Sequence, residues 1–180
     1  MLSVGYNKKK FRELVVLLAQ RSADDPRFGD TKLNKQLHFC DFDAYRKLGK
    51  PMTGAAYQRD RHGPTARPLI PVREELEHEG ALKIEQRPAG SRKRRVTVPL
   101  REPDLSLFTA EELAIVDEVV EKLKNSTAGR VADMAHDESA GWNLVSQYED
   151  IPYATALIDT EPPSRDTLER LRGIAAQRGW

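Results

Sequence analysis

Cysteine is nearly missing from this chain: Cys40 is the one thiol in 180 residues. That excludes an internal disulfide framework and fits a reducing compartment. Histidine is sparse too, at four residues. No two stand at H-x-x-x-H spacing and no C-x-x-C occurs, so the sequence offers no zinc-ligand pattern. Neither a G-x-x-x-x-G-K-[ST] phosphate cradle nor a G-x-S-x-G nucleophile elbow is written in it. An excess of one charge is also lacking. Twenty-nine Lys and Arg stand against 28 Asp and Glu, for a net +1, so any electrostatic argument must be local. The apolar run over residues 14–19 is far short of the ~20 residues that a bilayer helix needs. The first residues carry no apolar signal core. The expectation is a soluble, cytoplasmic protein with no membrane partner, no cofactor and no metal.

What is present is a helix-rich pattern. A hydrophobic share of 39% and a charged share of 32% suit a well-solvated domain able to bury roughly 70% of its unfolded surface. Phe11, Leu14, Val15 and Leu18 recur at helical spacing, which predicts a first helix. Asp30 or Thr31 can cap a second, with a stripe of Leu33, Leu37, Cys40, Ala44 and Leu48 widened by Phe39, Phe42 and Tyr45. Gly49 and Pro51 mark its end. Residues 57–61 read as a short helix or an extended piece, and Gly63-Pro64 breaks the chain. Pro68 and Pro71 fit only a helix start, so a third helix is predicted over 70–79. Leu82 and Ile84, then Val96 and Val98, alternate at period two around a basic tip, predicting a β-hairpin. Thr109 and Glu112 form a capping-box pattern before a helix running to Lys124. Short helices follow near 128–137 and 139–147. Ser164 is placed to cap a last helix striped by Leu168, Leu171, Ile174 and Ala175.

The predicted fold class is therefore α+β and predominantly helical, a winged-helix-like arrangement with one β-hairpin and additional C-terminal helices. Strands do not alternate with helices, which argues against a doubly wound sheet. The predicted organisation is one domain over residues 1–159 and a helical appendage over 160–180.

Paired acids such as Asp41 and Asp43 read as ordinary helix faces, and Cys40 as a packed thiol. The strongest local signal is the hairpin tip, where Arg87, Arg92, Lys93, Arg94 and Arg95 put five positive charges in nine residues. It reads either as a solvated turn or as a contact for an anionic partner, nucleic acid or protein. As a winged-helix DNA reader, the chain would lay helix 70–79 in the major groove. That helix carries Arg73 against Glu74, Glu75, Glu77 and Glu79, and phosphates would repel it. Arg59, Arg61 and Arg67 are expected to project from the segment around Gly63-Pro64, which reads as a rigid joint. His62 is expected to be a hydrogen-bonded structural histidine, with a partner contact as the alternative. A hydrolase would need His62, His136 and a carboxylate gathered in one pocket.

Two blocks carry a resemblance. Residues 31–64, "TKLNKQLHFCDFDAYRKLGKPMTGAAYQRDRHGP", resemble the opening signature of the Panacea domain, the SocA-type antitoxin-associated family. The matching positions include Lys32, Leu33, Asp41, Gly49, Pro51, Thr53, Gly54, Tyr57, Gly63 and Pro64. A second block around Trp142 and Ile151-Pro152-Tyr153 resembles the family further on. Gln36 departs from the pattern, standing where an apolar residue is expected. The resemblance implies an antitoxin of a bacterial or phage toxin-antitoxin module that neutralises its toxin by direct protein contact. It implies no catalytic residues. Nearby-encoded toxin protein is thus the expected partner; a DNA-binding regulator using the basic hairpin is the alternative. The expected partner contacts are Arg59, Arg61, His62, Arg67, Arg92, Lys93, Arg94 and Arg95. Lys32, Asp41, Thr53, Gly54, Tyr57, Gly63, Pro64, Trp142, Pro152 and Tyr153 are expected to be structural, with Lys32 and Asp41 as a buried pair under Tyr57.

Overall fold

Local rules place most of the helices. In the computed structural model, which describes residues 5–158 together with Asp166, Glu169, Arg170, Arg172, Gly173 and Gln177, Asn7 caps α1 (Lys8–Arg21) by accepting the Lys10 amide at 3.0 Å. The stripe of Phe11, Leu14, Val15 and Leu18 is fully buried, and so are Val16 and Leu17. Helix α2 (Asp30–Leu48) does not take the expected Asp30 or Thr31 cap: Gly29 is its N-cap, without a side-chain bond, and both residues lie inside the helix. It ends where Gly49 takes a left-handed φ of 76°, a conformation that costs glycine little. Leu33, Leu37, Cys40 and Ala44 are fully buried, whereas Leu48 in the last turn is exposed. Lys32, Lys35, Gln36, His38 and Asp41 are buried too, because α1, α4, α5 and both sheets' inner strands surround this helix. The departing Gln36 donates from Nε2 to Ser22 Oγ at 2.9 Å.

The fold is α+β and predominantly helical, as expected, but among the described residues it holds two hairpins rather than one. Strand β1 (Tyr57–Asp60) pairs antiparallel with β2 (Gly63–Ala66), with Arg59 opposite Pro64. The short-helix alternative for residues 57–61 therefore fails, and the joint around Gly63-Pro64 is a strand. Four-residue strands carry too little alternation to be legible, and proline argues against a strand unless it lies on an edge. What holds this hairpin is non-local. The outer edge of β1 takes residues 148–151 alongside: Arg59 N donates to Glu149 O at 2.9 Å, Tyr148 N to Arg59 O at 2.8 Å, and Ile151 N to Tyr57 O at 2.7 Å. The two sequence blocks thus meet as neighbouring extended segments.

Pro68 precedes α3 (Leu69–His78), one residue ahead of the predicted start. Strands β3 (Leu82–Ala89) and β4 (Arg92–Pro99) form the expected basic hairpin in a separate sheet. The order α2, α3, β3, β4 does not conflict with a winged-helix-like layout, although β1–β2 stands between the two helices. Thr109 and Glu112 complete a reciprocal capping box on α4 (Ala110–Leu123), worth about 1 kcal/mol. Lys10 Nζ seals that box from α1, 2.7 Å from both Glu112 oxygens. Helices α5 (Ala128–Glu138) and α6 (Ala140–Leu144) follow, then a 3-10 turn over Tyr153–Leu157. Ser164, Leu168, Leu171, Ile174 and Ala175 of the predicted last helix lie outside the described residues, as does the boundary after residue 159.

Candidate protein-binding site

The signature residues build a buried polar knot under the β1–β2 hairpin. Asp41 is fully buried. Its carboxylate accepts from Thr53 N at 2.7 Å, Thr53 Oγ1 at 2.5 Å and the Tyr57 hydroxyl at 2.7 Å. The expected Lys32–Asp41 pair does not form. The two are nine residues apart on one helix, which at 100° per residue places them about 180° apart. Lys32 instead pairs with Asp25, Nζ to Oδ2 at 2.5 Å, and both side chains are nearly sealed from solvent. Burial pushes the Asp41 pKa up, against the downward pull of Thr53 and Tyr57. Phe42, Tyr57 and Tyr153 pack edge and face around the knot, and Tyr153 OH donates to Ala55 O at 2.6 Å. Gly54 supplies a left-handed φ of 69° just after Thr53. Pro152 leads into the 3-10 turn and is exposed.

Trp142 is half-buried and joins the second block to the first. Its Nε1 donates to Asp60 O at 3.2 Å, its ring stacks on His136 at 3.9 Å, and the Arg59 guanidinium lies over it at 4.4 Å. Arg59 also donates to Val145 O at 2.6 Å. Arg67 is tied to Asp150 at 2.5 Å and Tyr148 O at 2.7 Å. These two arginines therefore brace the hairpin against residues 145–150. Arg61 and His62 form the exposed turn between β1 and β2. The expectation of a hydrogen-bonded His62 is corrected: among the described residues its ring has no hydrogen-bond partner, because the turn leaves it exposed at the rim of a cleft. Arg92 and Lys93 are likewise exposed without a side-chain ion pair among the described residues.

The remaining expected contacts converge at the start of α2. Asp30 bridges Arg73 of α3, at 2.5 and 3.3 Å, and Arg95 of β4 at 3.7 Å. A cleft lies on each side of this bridge. One, of about 320 Å³, is lined by Arg27, Thr31, Lys93, Arg94, Arg95 and Ala128. The other, of about 250 Å³, is lined by Lys35, Asp60, His62, Leu69, Ile70 and Arg73. Both share Asp30, Thr31 and Arg95, so they form one furrow across the N-terminal end of α2. Arg94 is half-buried beside it, and its Nε is buried without a partner.

Sequence reasoning missed Lys35, Asp30, Arg73 and Arg27. Lys35 falls off the Leu33–Leu37 stripe, so helical periodicity assigns it to solvent. In the fold it is 1% exposed. Its Nζ donates to Pro64 O at 2.7 Å and packs against Gly63. A Cβ added at Gly63 would lie 3.0 Å from both Lys35 Cε and Nζ, at a φ of 92°. Burial lowers the Lys35 pKa to about 7, although Asp60 pulls it upward. No sequence signal marks this position, because β2 covers it from a distant part of the chain.

The other candidate reactive groups are packed rather than gathered. Cys40 is fully buried, and burial raises its thiol well above the usual range. His38 sits among Phe39, Phe42 and Tyr57, and burial lowers it to about 3. His62 lines the furrow, whereas His136 stacks on Trp142. Among the described residues, no group of three or more His, Cys, Asp and Glu is placed to hold a metal ion, and no helix is long and apolar enough to cross a membrane.

No curated protein and no solved structure matches the chain. A family profile does: the one described as "Antitoxin SocA-like, Panacea domain" aligns with residues 33–143. That span begins with the α2 stripe, takes in Asp41, Thr53 and Tyr57 of the knot, both hairpins and Lys35, and stops just past Trp142. The chain therefore belongs to the SocA-like antitoxin family with a Panacea domain.

Proposed function

We propose that this protein is an antitoxin that neutralises a cognate toxin by direct protein–protein binding. The supporting observation is the family match over residues 33–143, joined to a scaffold whose signature residues are spent on structure. Asp41, Thr53, Tyr57 and Trp142 satisfy one another or the backbone, which leaves the surface free to specialise. The role is binding rather than catalysis, and the toxin is encoded nearby in a two-gene module. Exposed Arg61, His62, Arg92 and Lys93, with Arg94 and Arg95 beside them, supply the arginine-rich contacts that protein interfaces favour.

The DNA-binding alternative has less support. Glu75 of α3 and Glu79, the residue after its last turn, are engaged by α1, with Lys8 Nζ 2.7 Å and Arg12 Nη1 2.9 Å from Glu75 and Arg12 paired to Glu79. Arg73 of the same helix is committed to Asp30. Helix α3 thus has no spare cation for a phosphate backbone.

Co-expression tests the reading. Each gene adjoining the coding sequence is expressed alone and together with this chain. One of them is expected to arrest growth alone and to be relieved by the chain, with the two proteins purifying as a complex. If no neighbour arrests growth, or if arrest persists despite soluble antitoxin, the proposal fails.

A further inference from the structure

The furrow across the start of α2 holds an unusual group. Lys35 carries three donor protons and, among the described residues, has one acceptor, Pro64 O. Two protons on a buried ammonium are left without a partner, a costly arrangement in a folded protein. Charged groups face it from every neighbouring element: Asp60 and His62 from the first hairpin, Asp30 from its own helix, Arg73 from α3, Arg95 from β4 and His136 from α5. Of the two acids, Asp30 is already shared by Arg73 and Arg95. The furrow therefore has a surplus of positive charge and spare donors at its floor.

We propose that this furrow is the docking groove for an extended acidic segment of the partner protein, with one carboxylate of that segment held at Lys35. The inference rests on the chain being a protein-binding module. A carboxylate is the fitting group because it accepts several N–H donors at once and restores the ammonium's charge. Arg94, with its unpartnered Nε, and Lys93 offer a second acidic position at the other end. On the Lys35 side, Leu69 and the 62% exposed Ile70 line the same cleft and give apolar contact. A nucleic-acid backbone fits less well. Its phosphates recur without interruption, and Asp30 at the centre and Asp60 on the wall would repel them, whereas a peptide can place neutral residues there.

The test uses the full chain with three probes: a short peptide alternating Glu and Ala, its Lys/Ala counterpart, and a DNA duplex. The acidic peptide is expected to bind, and Lys35→Met to weaken it about tenfold or more. Calorimetry in two buffers near pH 8 is expected to show uptake of about one proton on binding. Uptake should vanish in Lys35→Met and persist in His62→Gln. Tighter binding of the duplex than of the peptide would overturn the proposal, as would unchanged affinity in Lys35→Met or binding without proton uptake. Growth rescue separates this idea from the one beneath it. Rescue by the wild type and equally by Lys35→Met removes the groove and leaves the antitoxin reading standing. Peptide binding at Lys35 without rescue from any neighbour removes the antitoxin reading and leaves the groove.

Discussion

Replacing Lys35 with methionine should make this protein more stable near neutral pH. The side chain is 1% exposed, and burial lowers its pKa from 10.5 to about 7. Between those values the unfolded chain binds more protons than the folded one, so stability rises with pH across that window. The gap of about 3.5 between them, at 1.36 kcal/mol per pH unit, makes the buried ammonium cost about 4–5 kcal/mol at and below pH 7. The cost shrinks to about 1 kcal/mol near pH 10. Methionine fills a similar volume and forfeits the bond to Pro64 O, a loss of about 1 kcal/mol. Lys35→Met is therefore expected to gain about 3 kcal/mol at pH 7 and to be nearly neutral at pH 10. Urea denaturation of both proteins across that range measures the difference. The other titratable groups are present in both proteins, so they cancel in the difference. Equal stability at pH 7, or a difference that does not fade with rising pH, would refute the reasoning. A more stable variant that binds its partner less well would be the usual mark of a residue kept for function.

Other perturbations probe the supports of the same site. Asp25→Ala leaves the sealed Lys32 ammonium unpaired and should cost about 3–5 kcal/mol in denaturant midpoint experiments; a loss below about 1 kcal/mol would mean that Lys32 finds water. Gly63→Ala places a Cβ 3.0 Å from the Lys35 ammonium at a left-handed φ and should cost about 1–3 kcal/mol. Pairing it with Lys35→Met should recover part of that, since the contact with Nζ is removed; strict additivity would argue against contact. Asp41→Ala strands the Thr53 amide and the Thr53 hydroxyl, while the Tyr57 hydroxyl keeps Leu37 O at 2.9 Å, for a loss of about 2–3 kcal/mol by thermal unfolding. Asp41→Asn should behave differently. Because the folded pKa of Asp41 is raised, its contribution is most favourable at acid pH and is lost as pH rises through the folded value. The stability of Asp41→Asn relative to wild type should therefore improve from acid to neutral pH.

Several features of this protein were written locally. The glycine end of α2, the capping box of α4, the proline-marked start of α3 and the alternation of Ile84, Val96 and Val98 each act within a few residues, so helices and the basic hairpin were legible from side-chain spacing alone. The two family blocks were legible as motifs. Their meaning as neighbours was not, because Arg59 and Tyr148 bond across almost ninety intervening positions, which no periodicity encodes. The same limit misassigned two groups and hid a third. Lys32 was paired with the wrong acid because a nine-residue interval on a helix reverses direction. His62 was expected to be hydrogen-bonded and stands exposed in its turn. Lys35 was missed because no local pattern says which distant segment covers it.

Sequence by itself determined the helical class, the family signature and the residues able to carry charge at the hairpin tip, since these depend on composition and near-neighbour chemistry. Tertiary structure decided which charges are consumed and which stay available. Whether a lysine is solvated, sealed against aspartate or buried with protons to spare depends on what distant segment lies over it, and that is fixed only when the chain closes on itself.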